Sequence, residues 1–160
     1  MAANELSALL WRERELLGLL TFKLEEEQLL LTTGNTKWLH HATREVEQVV
    51  DNLRSEALLR EVAVAALAAE WDLGSNPSLR DIAAKAPDGP WGEIFAAHLT
   101  ALVALTGRIK ELRDANDMFL RAAVKSTQET LANLRADAGT YDSLGLASPT
   151  PGTSVLDRQL

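Results

Sequence analysis

The sequence predicts an all-α protein: an elongated antiparallel helical bundle or coiled coil of three long helices plus one short helix, with a disordered C-terminal tail. Three observations carry this. Leu and Ala dominate a 160-residue chain that is 46% hydrophobic but only 5% aromatic, which favours helix over strand. Apolar residues recur at helical spacing along three long segments. Clusters of Gly, Pro, Asn and Ser punctuate those segments.

Residues 4–31 form the first predicted helix. Leu6, Leu9, Leu10, Leu16, Leu17, Leu20, Leu24 and Leu31 share one stripe at about 100° per residue. Trp11, Phe22 and Leu29 fall roughly 140–160° away. One stripe is enough to join a bundle, so the second row calls for another neighbour, in the chain or in a partner. Thr32-Thr33-Gly34-Asn35 ends the helix, with Gly34 as its C-terminal cap. Asn35 or Thr36 is the expected cap of the next helix.

The second helix runs to about Asp72, on the order of 55 Å. Its stripe is Leu39, Ala42, Val46, Val49, Val50, Leu53, Ala57, Val64, Leu67 and Trp71. Arg60 falls within the stripe. The simplest reading packs its stem and leaves its head in water, with Glu56 one turn earlier as a partner within reach. Ala57-Leu58-Leu59 and Val62 to Ala69 are apolar almost all round, the pattern of a helix buried on every side.

Gly74-Ser75-Asn76-Pro77 stops this helix, and Pro77 suits the first turn of another. A short helix follows from Ser78 to Lys85, with Leu79, Ile82 and Ala83 or Ala86 facing inward. Pro87-Asp88-Gly89-Pro90 turns the chain. The third long helix spans about Trp91 to Ala138. Its stripe is Phe95, His98, Leu99, Leu102, Leu105, Ile109, Asn116, Leu120, Ala123, Val124, Leu131 and Leu134. Gly107 costs it about 1 kcal/mol and marks a soft point. From Gly139 to Gly145 the sequence is turn-like, and Ser148-Pro149-Thr150-Pro151-Gly152 is not helical. The expected organisation is one helical domain, 1–138, and a flexible tail, 139–160.

A net charge of −7 argues against nucleic acid, which requires clustered Lys and Arg. The chain has no Cys, hence no disulfide, thiolate metal site or Cys nucleophile, which is compatible with the cytoplasm. No signal peptide and no transmembrane run is visible. Motifs for phosphate binding, a nucleophile elbow or a zinc protease are missing. His41 and Glu45 share a helix face, but the Glu-x-x-His spacing of di-iron bundles is not there, so exposed histidines in a polar turn are expected, with no metal and no cofactor. His98 reads as a hydrogen-bonded core histidine, and Glu25-Glu26-Glu27 as a solvated face. Asn116 either fixes helix register or hydrogen-bonds a partner. Trp38, Trp71 and Trp91 lie near helix ends as anchors, whereas Trp11 lies off its stripe. The sum is a binding surface made of helices, not an enzyme. Grooves of this kind accept amphipathic helices. A homo-oligomeric coiled-coil scaffold or adaptor is the competing reading.

The chain also resembles the FlgN-type flagellar export chaperones over nearly its whole length. The likeness rests on Leu16-Leu17 to Glu25-Glu26-Glu27-Gln28-Leu29, Trp38-Leu39 to Glu45-Val46, and Leu59-Arg60-Glu61. It continues through Ser78-Leu79-Arg80-Asp81-Ile82-Ala83 and the spacing of Leu112, Asn116, Leu120, Leu131 and Leu134. Thr140-Tyr141-Asp142 with Gly145 is its most distinctive piece. The resemblance implies a cytoplasmic, non-enzymatic chaperone of flagellar type III secretion. It would bind the hook–filament junction proteins FlgK and FlgL, hold their helix-forming ends apart and deliver them to the export gate. It places client contacts at Leu112, Asn116, Phe119, Leu120, Val124, Leu131 and Leu134, and implies a gate-docking role for Tyr141. Without client, such a chaperone can self-associate through its groove. The Pro-rich extension beyond Gly145 has no counterpart in the family pattern.

Overall fold

A computed structural model of the chain describes the backbone of residues 1–143 and the side chains of residues 1–140. The elements are α1 (Ala2–Thr32), a 3-10 turn (Thr36–Trp38), α2 (Leu39–Trp71), α3 (Leu79–Ala84) and α4 (Trp91–Ser143). Among the described residues every regular element is helical. The described residues fall into two units, Met1–Phe119 and the part of α4 from Leu120 onward.

Within the first unit α1 and α2 form an antiparallel hairpin. Gly34 makes it possible by adopting φ +69°, a left-handed conformation that costs glycine little. The Asn35 amide then bonds the Leu30 carbonyl at 3.0 Å and the Gly34 amide bonds that of Leu31 at 3.4 Å, closing a Schellman cap. Neither Asn35 nor Thr36 caps α2: the 3-10 turn intervenes, and Trp38 precedes α2 without a side-chain cap. The C-terminus of α2 lies where expected. Asp72 takes a left-handed conformation at φ 52°, Gly74 has φ +80° two residues on, and the Leu73 amide bonds the Ala68 carbonyl at 3.0 Å. Ser78 caps α3 through a reciprocal capping box with Asp81, so Pro77 precedes the cap and lies outside the helix.

The apolar stripes meet in two clusters. One joins Ala2, Ala3, Leu6 and Leu10 of α1 to Ala63 and Leu67 of α2, Ile82 of α3 and Phe95 of α4. Trp71 meets Phe95 edge-on at 6.0 Å and Trp91 stacks on it at 5.6 Å, so these two tryptophans do anchor helix ends. Trp38 does not; it is exposed beneath the Lys37 ammonium. The second cluster joins Leu17, Leu20 and Leu24 to Val49, Ile109 and Leu112. Since α4 climbs from Leu6 and Leu10 toward Leu24, it runs parallel to α1 in this unit. It is helical straight through Gly107.

Two expectations need correction. The segment Ala57 to Ala69 is buried only at Ala63, Leu67 and Ala68; Leu58, Leu59 and Val62 lie on the surface. The run Gly139 to Ser143 is helical, because Ala136 to Ala138 carry the helix forward with no proline to stop it. Thr140 bonds the Ala136 carbonyl at 3.0 Å, as a helical threonine does. The Pro-rich stretch after Leu144 lies outside the described residues.

Candidate partner-binding surface

Polar side chains occupy a layer between the two clusters. Glu13 of α1 pairs with Arg60 of α2 at 3.2 Å, and Arg12 pairs with Glu56 at 2.8 Å. Arg60 therefore reaches across the hairpin and does not fold back on Glu56. Burial pushes the Glu13 carboxyl above its ordinary value of 4.5; Arg60 opposes the shift and Glu56 adds to it. One carboxylate oxygen of Glu13 and one of Glu56 are buried without a hydrogen-bond partner.

His98 of α4 lies beside this layer, almost fully buried. Its Nε2 is 3.1 Å from the Ser7 hydroxyl and its Nδ1 is 3.5 Å from the Arg14 guanidinium. An Arg nitrogen only donates, so Nδ1 accepts and Nε2–H donates to Ser7. Burial, reinforced by Arg14, holds the imidazole pKa below its ordinary 6.5. Arg14 also lies 4.0 Å over the Trp11 ring, whose edge meets His98 at 5.2 Å. This is a structural histidine, with both ring nitrogens engaged by α1.

The glutamate run of α1 is tied down and not simply solvated. Glu25 pairs with Arg108 at 3.3 Å, Glu26 with Lys23 at 3.3 Å, and Glu27 accepts from Thr43 and from Asn116. At the start of α2, the His40 and His41 rings lie side by side, tilted by 40° with centroids 3.9 Å apart, while Glu45 is held by Lys23 at 2.9 Å. Among the described residues no group of three or more His, Asp or Glu is placed to hold a metal ion. No described helix is long and apolar enough to cross a membrane.

The surface that remains for a partner is apolar and helical. The α4 stripe keeps one helical period from Phe95 to Leu134. Its first part is covered: Phe95, His98, Ile109, Leu112 and Asn116 are buried. Asn116 Nδ2 donates to the Leu24 carbonyl at 2.9 Å and to Glu27 at 3.1 Å, which is the register-fixing role. Beyond Asn116 the stripe is open, with Phe119 to its side. Phe119, Leu120, Val124, Leu131 and Leu134 are between 41% and 60% exposed, and Met118 is 72% exposed beside them. The expected client residues thus separate by unit: in the first, Leu112 and Asn116 are covered and Phe119 is exposed; in the second, Leu120, Val124, Leu131 and Leu134 are exposed along the helix. The Tyr141 side chain lies outside the described residues.

Two further apolar surfaces stand open. Trp11, Phe22 and Leu29 are more than half exposed, so the second row of α1 finds no full cover among the described residues of the chain. Leu58, Leu59 and Val62 of α2 form the other surface. Sequence pattern concealed it, because an all-round apolar helix reads as fully enclosed.

Apolar side chains exposed along a helix, beside polar groups spent on holding helices together, are the kind of surface that partner-binding proteins use. The family model for FlgN protein matches residues 1–149. The chain belongs to the FlgN family, a family of flagellar export chaperones. Comparison with curated proteins and with solved structures gives no match.

Proposed function

We propose that this chain is a cytoplasmic export chaperone for the hook–filament junction proteins FlgK and FlgL. It binds their helical termini, keeps them from premature association and delivers them to the export gate. The observation that supports this reading is the open ridge of α4. A stripe that packs α1 as far as Asn116 continues in the same period through Leu120, Val124, Leu131 and Leu134, where it is exposed.

An amphipathic client helix would lay its own apolar face on this ridge. Burying roughly 300 Å² of apolar surface at about 25 cal/mol per Å² contributes about 7 kcal/mol. Ordering the client consumes part of that, leaving reversible binding that suits later release. Phe119, Leu120, Val124, Leu131 and Leu134 make the first contact. Leu112 and Asn116 join only when the Leu24 end of α1 yields its place. Tyr141 serves docking to the gate.

Titration calorimetry with isolated FlgK and FlgL terminal peptides tests the reading. A stable complex with at least one is expected, and no binding to either overturns it. Leu120→Asp and Leu131→Asp should weaken binding far more than Glu26→Ala, without a change in melting temperature, because both leucines are exposed in the free chain. Equal losses from all three would place the client elsewhere.

A further inference from the structure

The outer face of α2 carries an apolar strip that the bundle does not use. Leu58, Leu59 and Val62 are 66%, 50% and 70% exposed, and Ala65, Ala66 and Ala69 are exposed with them. All six fall within about 120° of the helix circumference and span about 16 Å of its length. Single exposed apolar residues need no explanation, but six on one face with no polar residue among them do.

The strip has a direction. Its N-terminal half is bulky and its C-terminal half is alanine. An antiparallel copy of the same helix, related by a two-fold axis between Val62 and Ala65, sets large against small at every level. Leu58 then faces the other copy's Ala69 and Val62 its Ala65, while Leu59 lies about 3 Å along the axis from the level of its Ala66. The charges obey the same symmetry. Arg54 and Asp72, both exposed, lie on one flank of the strip, beyond opposite ends. The two-fold brings Arg54 of one copy level with Asp72 of the other, twice per pair. Among the described residues Arg54 is otherwise held by Asp51 alone, one turn away at 3.1 Å on the open surface. An unrelated partner would have no reason to match both taper and charge, whereas a self-complementary patch is what an isologous interface requires.

We propose that this face of α2 is a two-fold interface between two copies of the chain. The strip is smaller than the area a permanent dimer usually buries, so the pair is reversible and appears as concentration rises through the micromolar range. The interface uses α2 and leaves the α4 ridge for clients.

Sedimentation velocity over a concentration series tests this without any client, so its outcome is independent of the chaperone reading. The wild-type chain should pass from monomer to dimer. Val62→Glu places two buried carboxylates beside the axis and should remain monomeric, with the melting curve of the wild type. Arg54→Asp should weaken dimerisation roughly tenfold, because the lost pair recurs twice. Asp72→Asn, which suits the left-handed backbone there, should weaken it severalfold. The chain has no cysteine, so Val62→Cys should cross-link to a dimer under mild oxidation while Val103→Cys, exposed on α4, should not. A wild-type monomer at every concentration overturns the proposal. So does a dimer unaffected by Val62→Glu, or equal cross-linking through Val103→Cys.

Discussion

The Asn116 side chain donates to the Leu24 carbonyl across 2.9 Å, and this bond marks where the covered part of α4 ends. Its second donor bond goes to Glu27 at 3.1 Å, while its own oxygen is buried without a partner. Asn116→Asp would replace both donors with a carboxylate facing a carbonyl and a glutamate. We expect a loss of about 3 kcal/mol in urea unfolding. Asn116→Leu removes the buried orphan oxygen along with the donors and should cost about 1 kcal/mol or less. Equal costs for the two variants would show that the donated bonds do not set the energetics.

The Glu13 carboxyl, raised by burial, makes stability depend on pH in a defined direction. The folded chain holds this proton more tightly than the unfolded chain. The contribution is therefore complete below pH 4.5 and is lost as pH rises through the higher folded value. Thermal melts of wild type and Glu13→Gln across mildly acidic pH should diverge, with the variant gaining relative stability as pH increases. A constant difference across that window would refute the assignment.

His98 acts in the opposite sense. Its folded pKa lies below 6.5, so the neutral ring stabilises the fold above pH 6.5 and that stability is lost as pH falls through the lower folded value. The imidazole resonance should titrate with a midpoint below 6.5. His98→Gln should remove this part of the acid sensitivity while keeping a partner for Ser7. A midpoint at or above 6.5 would contradict the buried, Arg14-facing environment.

Glycines in the long helices divide by what surrounds them. A Cβ built on Gly92 lies 3.2 Å from the Ala83 carbonyl oxygen, where α3 packs on the first turn of α4. A Cβ on Gly18 meets nothing within 4 Å. Gly18→Ala should therefore stabilise the chain by about 0.5–1 kcal/mol, the usual helical preference. Gly92→Val should destabilise it by about 1–3 kcal/mol through crowding. Denaturant midpoints measure both, and a stabilising Gly92→Val would mean that α3 is free to move.

The sequence by itself determined the helices, their order and their principal stripes. Local spacing was sufficient, because a 3.6-residue period and a Gly or Pro stop are properties of neighbouring residues. It also indicated the core role of His98 and the register role open to Asn116. Resemblance in order and spacing pointed to the family before any packing was known. Tertiary structure alone decided which apolar residues are covered. Ile109 and Leu131 belong to one stripe, yet packing against α1 covers the first and the second is open. The same holds on α2, where Leu67 is buried and Leu58, Leu59 and Val62 are not. Ion-pair partners were hidden for the same reason. Arg60 turned to Glu13 and Arg12 to Glu56 because the hairpin register, set at Gly34, brings those residues level. A helical period says which residues share a face; only the position of the neighbouring helix says whether that face meets protein or water.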